Sequence, residues 1–100
     1  MASKGNGQHF KITFSGLLAP ELKALHQRAK KAGLGDAYVE ALETAVFRLK
    51  HDPWEFGELI RKVMQPPLKI HVGIVKPLVI EFAIHEEKPI VLIKRIQLLT

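Results

Sequence analysis

The stretch from residue 68 to residue 99, LKIHVGIVKPLVIEFAIHEEKPIVLIKRIQLL, decides the fold. Leu68, Ile70, Val72 and Ile74 fall on one face of an extended chain, and Lys69 and His71 on the other. After a break at Lys76 and Pro77, Leu78, Ile80, Phe82 and Ile84 alternate with Val79, Glu81, Ala83 and His85. A period of two is the signature of a strand, because successive side chains leave opposite sides of the pleat. HEEKP, residues 85–89, reads as a hairpin turn, and the run after it is apolar on both faces apart from Lys94, Arg95 and Gln97. Such a run predicts a central strand covered on both sides over much of its length. The turns between these strands are short, so they form an antiparallel meander.

Upstream of the meander, Pro66 and Pro67 fix an extended entry, and residues 58–65 fit either a helical turn with Leu59, Ile60 and Val63 inward or a loop. The period before that is helical. Tyr38, Leu42, Ala45, Val46 and Leu49 make one apolar stripe, with Glu40, Glu43 and Arg48 turned to water and Asp36 in the capping position. HDPWEFGE stops this helix, since Pro53 pushes the residue before it out of the helical region. Leu22, Leu25, Ala29 and Ala32 make an earlier stripe, with Pro20 at the helix start and Gly33 suited to its C-terminal cap. HFKITFS, residues 9–15, alternates again, with Phe10, Ile12 and Phe14 on one face, and Gly16 ends it. The expected order is β-α-α-β-β-β. It describes an α+β layer in which a helical hairpin packs on one face of a mainly antiparallel sheet and leaves the other face open. Residues 1–8, MASKGNGQ, read as a disordered tail and residues 9–100 as a single domain.

A chain of 100 residues supports one core, and 47% hydrophobic against 25% charged residues is a globular balance. There is no cysteine, so neither a disulfide framework nor a thiolate metal site is available, and a reducing compartment is the easier expectation. No signal-type leader and no run of about 18 apolar residues occurs, which predicts a cytoplasmic protein with no membrane partner. Fifteen Lys and Arg against ten Asp and Glu leave a net charge of +5. A surplus of that sign favours acidic partners such as nucleic acid, the ribosome or an acidic protein segment, and it also serves plain solubility. No phosphate-binding glycine loop, nucleophile elbow or zinc spacing is present, so no cofactor and no metal are expected.

FKITFS followed by a Pro-initiated helix, ALETAVFRLKHDPWEFGE running into its DP…FGE exit, and LKIHVG…PLVIEFAIHEEKPIVLIKRI together are similar to the RelE/ParE toxin superfamily of bacterial type II toxin–antitoxin systems. The resemblance covers residues 9–99 and is carried by pattern. It implies a compact toxin-like fold neutralised by an antitoxin segment, acting as a ribosome-dependent mRNA endonuclease or as an inhibitor of DNA gyrase. RelE-like nucleases resemble one another in placing basic residues on the meander strands and an Arg, His or Tyr just after the last one. The positions that match here are Lys69 and His71 on the first meander strand and Lys94 and Arg95 on the last, with phosphate or RNA binding implied for Lys69, Lys94 and Arg95. The second meander strand offers Glu81 where a basic residue is the pattern, and the chain after the last strand reads QLLT. The implied catalytic set is incomplete, and a non-catalytic interaction module, gyrase-inhibitor-like or a degenerate relative, is the alternative.

RNA cleavage by 2′-OH attack needs a proton acceptor, a proton donor and cations for the phosphate, and histidine serves the first two near neutral pH. His71, with Lys69 two residues away on the same face, is the candidate for proton transfer, and Glu81 a candidate general base. The plainer readings are an exposed polar strand face for His71 and Lys69, and a cross-strand pair with Lys94 or Lys69 for Glu81. His85 reads as a turn residue, and His9, His26 and His51 lack metal-ligand spacing. Trp54 and Phe56 read as core packing, and the basic first helix, with Lys23, Arg28, Lys30 and Lys31, as a solvated face. Leu98 and Leu99 either complete the core or form a patch for an antitoxin helix or a second copy, so a homodimer is possible on this reading.

Overall fold

A computed structural model describes residues 9–99; the tail assigned to residues 1–8 lies outside the described residues. Strand β1 spans Lys11–Phe14, helix α1 Leu18–Lys31 and helix α2 Gly35–His51, and a single 3-10 turn follows at Pro53–Glu55. The remaining strands are β2, Glu58–Val63; β3, Leu68–Val75; β4, Leu78–His85; and β5, Ile90–Leu98. They form one five-stranded sheet in the order β1-β5-β4-β3-β2. β2 to β5 are antiparallel neighbours, and β1 adds to β5 in parallel. The α+β class and the helical hairpin on a mostly antiparallel sheet are as the sequence implies, and the order gains one strand: β-α-α-β-β-β-β.

That strand, β2, occupies the segment read as helical turn or loop. Its burial gives no pattern, because five of its six residues are exposed at the edge of the sheet. A register shift at Ile60, between Leu59 and Arg61, also breaks the alternation that would mark a strand. Only the ladder to β3 defines it.

The helices lie on one sheet face and close the core there. Leu18, Leu25 and Ala29 of α1 and Tyr38, Ala41, Ala45 and Leu49 of α2 are buried together with Leu78, Ile80, Phe82 and Ile84 of β4 and Val91, Ile93 and Ile96 of β5. Each large aliphatic or aromatic side chain fully removed from water contributes roughly 1.5–3 kcal/mol, so this layer dominates stability. The Tyr38 hydroxyl donates to the Leu22 carbonyl at 3.1 Å and ties the helices to each other. Asp36 does not cap α2: the helix begins one residue earlier, at Gly35, and its N-cap, Leu34, makes no side-chain capping bond, while Asp36 sits in the first turn. Gly33 ends α1 with φ +78°, a conformation that favours glycine.

β5 carries the most consequential irregularity. Glu81 pairs with Arg95 and Phe82 with Ile93, so Lys94 is an extra residue in the ladder. The bulge lets Ile93 and Ile96, three apart, both enter the core while Lys94 and Arg95 both face away from it. Leu98 packs on the core, as expected, whereas Leu99 is 46% exposed and does not complete it. Among the described residues no helix is long and apolar enough to cross a membrane.

Candidate functional site

The two faces of β3 are assigned by what lies above them. His71 pairs with Phe82 and Gly73 with Ile80, both core residues, so Lys69, His71, Gly73 and Val75 face the helices. A side-chain carbon at Gly73 would stand 2.6 Å from the Phe56 ring, so glycine there makes room for that aromatic. Leu68, Ile70, Val72 and Ile74 lie on the opposite side. The reading of Lys69 and His71 as an exposed polar face is therefore corrected. Their face is roofed at this end by Trp54 and Phe56, which the chain leaving α2 carries across the sheet.

His71 is 6% exposed, and its ring packs 5.5 Å from Phe82 and 6.1 Å from Trp54 between centroids. Its Nδ1 is buried with no hydrogen-bond partner. Burial pushes the imidazole below its ordinary value; the Phe56 backbone pulls it part of the way back, and the Lys69 charge pushes it down further. The ring is consequently neutral at pH 7 and shut away from bulk water. The Lys69 ammonium lies 5.6 Å over the Trp54 ring.

Glu81, Lys94 and Arg95 stand on the other face. Glu81, with a side chain 19% accessible, lies 3.7 Å from the Lys94 ammonium and 4.0 Å from the Arg61 guanidinium, and Arg95 is its direct cross-strand partner. The expected pairing of Glu81 with Lys94 is present, and Arg61, from the segment whose structure the sequence hid, joins it. Two cations within 4.0 Å of one carboxylate, with Arg95 opposite it in the ladder, leave a positive surplus on a sheet face that no helix among the described residues covers. Beside it, Leu68, Ala83, Ile90 and Leu92 line a shallow apolar groove with Thr13 and His85 at its margins.

The five residues singled out in the sequence thus form two groups with the sheet between them. His71 and Lys69 are together on the helix side; Glu81, Lys94 and Arg95 are together on the bare side. A period of two places residues on a common face correctly but does not say which face a helix covers. Arg61 was missed because β2 carries no burial signal, and Trp54, which reads as packing, is 39% exposed.

The remaining histidines are accounted for locally. His85 Nδ1 accepts from the Glu87 and Lys88 backbone N–H groups at 3.0 and 3.1 Å, the turn role expected of it. His26 stacks on Tyr38, and His51 contacts both His9 and Phe47. No group of three or more metal-ligating side chains exists among the described residues. On the outer face of α2, Leu42, Val46, Phe47 and His51 line an apolar groove, with Phe47 61% exposed.

No protein-family model matches this chain, and neither does any curated protein or solved structure.

Proposed function

We propose that the chain is a toxin-class protein of RelE/ParE type that acts by holding a partner rather than by cutting RNA. The element order, the helical hairpin and the motif stretches quoted above support the class. One observation carries the choice between binding and cleavage: the residues that would share a phosphate are divided by the sheet, with His71 buried beside Lys69 on one side and Lys94 and Arg95 on the other. A proton-transfer group must reach the reacting hydroxyl within hydrogen-bond distance while cations hold the same phosphate. Of the three cations only Lys69 shares a face with His71, and the ring beside it is buried.

The bare face offers what an acidic, partly apolar protein segment needs, namely Arg61, Lys94 and Arg95 beside the groove of Leu68, Ala83, Ile90 and Leu92. An antitoxin segment of that composition is the partner assigned to it. A gyrase-type target is the second reading, favoured by the exposed Phe47 groove on α2.

The test is induced expression in a bacterial host of the wild type, of His71→Leu and of the triple variant Arg61→Glu, Lys94→Glu, Arg95→Glu. Growth, mRNA ends by primer extension and plasmid supercoiling are followed together. The expected result is growth arrest without new mRNA ends, unchanged in His71→Leu, with rescue by a co-expressed acidic segment that fails for the triple variant. New mRNA ends that vanish in His71→Leu would restore the nuclease. Normal growth with soluble wild-type protein present would remove the toxin class itself.

A further inference from the structure

At the β2 margin of the helix-covered side lies a second group of cations, separate from the bare face. Lys62 of β2 and Lys69 of β3 stand directly opposite each other in the antiparallel register, so their side chains leave the same face. The carboxylates engaged in ion pairs among the described residues are Asp52 and Glu81, and neither lysine takes part in those pairs. Like charges facing each other across a ladder weaken it unless an anion lies between them. The Lys69 ammonium sits 5.6 Å over the indole of Trp54, which is 39% exposed. His71 supports that indole from within at 6.1 Å, and its buried Nδ1 makes no hydrogen bond. A half-exposed aromatic plate, the ammonium that lies over it and a second ammonium opposite that one in the ladder, neither of them in an ion pair, therefore lie at one margin. Those are the parts that take a flat base and its phosphate.

We propose that this margin binds a nucleotide, with the base stacked on Trp54 and the phosphate held between Lys62 and Lys69. The nucleotide comes either from a single strand, whose bases are free to stack, or as a free nucleoside phosphate. The site is on the opposite side of the sheet from the Arg61, Glu81, Lys94 and Arg95 cluster and does not depend on the partner assigned to that cluster.

Trp54 is the only tryptophan of the chain, so its emission reports on the site directly. The full-length protein is titrated with a short oligo-uridine strand, with uridine monophosphate and with inorganic polyphosphate. Saturable quenching by a base-bearing ligand and none by polyphosphate is expected. Quenching by the strand alone assigns the source to nucleic acid, and quenching by the mononucleotide as well assigns it to the free nucleotide. The double variant Lys62→Gln, Lys69→Gln should weaken binding about tenfold or more, while the charge-matched Lys23→Gln, Lys30→Gln pair on α1 leaves it unchanged. Anisotropy of a labelled strand then compares Trp54→Phe, which keeps a stacking ring, with Trp54→Ser, which should lose most of the affinity; circular dichroism verifies that each variant is folded. Equal weakening by the two lysine pairs, undiminished binding by Trp54→Ser, or no quenching at all would overturn the site.

Discussion

A histidine enclosed by Phe82, Trp54 and the core is a liability in acid. The unfolded chain takes up a proton near the ordinary histidine value of about 6.5, while the folded chain resists it, because burial holds the His71 imidazole below that value. Where the unfolded state binds more protons, stability rises with pH. The contribution is therefore level above about pH 7 and falls as pH drops through the unfolded value towards the lower folded one. His71→Leu keeps the ring's volume roughly filled with apolar atoms and removes the titration. Urea midpoints measured from pH 7.5 to pH 5 should decline for the wild type and decline distinctly less for His71→Leu; parallel curves would show that His71 protonates as freely folded as unfolded. Lys69 and His71 share a face, as their spacing says, but the polar pair lies on the side that Trp54 and Phe56 roof.

Among the elements, β1, the helical hairpin, β3 and β4 were legible by a one-sided apolar pattern and β5 by its apolar run, although the helices cover only one of the two β5 faces that the run suggested were covered. β2 was not, because Glu58, Leu59, Ile60, Arg61 and Lys62 are all exposed and the shift at Ile60 breaks the period. The same device appears in β5, where the spacing of Ile93 and Ile96 conceals that one residue is surplus to the ladder. This has a counterintuitive consequence for deletion. Removing Lys94 leaves Ile93, Arg95 and Ile96 in strict alternation opposite Phe82, Glu81 and Ile80, so the fold should survive with Tm lowered by less than about 8 °C, the equivalent of roughly 1 kcal/mol in a domain this size. Removing Leu92 instead shifts the strand by one residue and turns an inward position outward. Thermal melts of the two deletions, with the Leu92 deletion unfolded at room temperature, check the bulge; similar melts would place the extra residue elsewhere.

For the whole molecule, the sheet's order matters more than its strand count. β5 lies between β4 and β1, so Lys11–Phe14 pair with Ile90–Ile93 across most of the chain's length. Contacts so distant in sequence favour slow, all-or-none folding. Without β1, the backbone of Ile90–Ile93 becomes an open, apolar edge, the kind of edge that recruits other chains. A variant lacking residues 1–15 should therefore elute from size exclusion as larger assemblies while the wild type does not; a monomeric, equally stable truncation would show β1 to be dispensable. The β2 edge at the other end is better guarded, since its bulge and its Arg61 and Lys62 charges discourage pairing with a second copy.

The central position of β5 also sets a schedule. As the polypeptide is made, β1, both helices and β2 to β4 emerge before the strand that joins the first of them to the last. Until Ile90–Leu98 arrives, β1 has no neighbour to pair with, and Phe82 and Ile84 lack the Val91 and Ile93 side chains that complete their layer. Until then the nascent chain exposes the apolar layer that β5 will complete, and that layer closes only within the span of one strand. Any activity that depends on either face begins abruptly, and a chaperone or partner that acts on the unfinished sheet has that interval in which to do so.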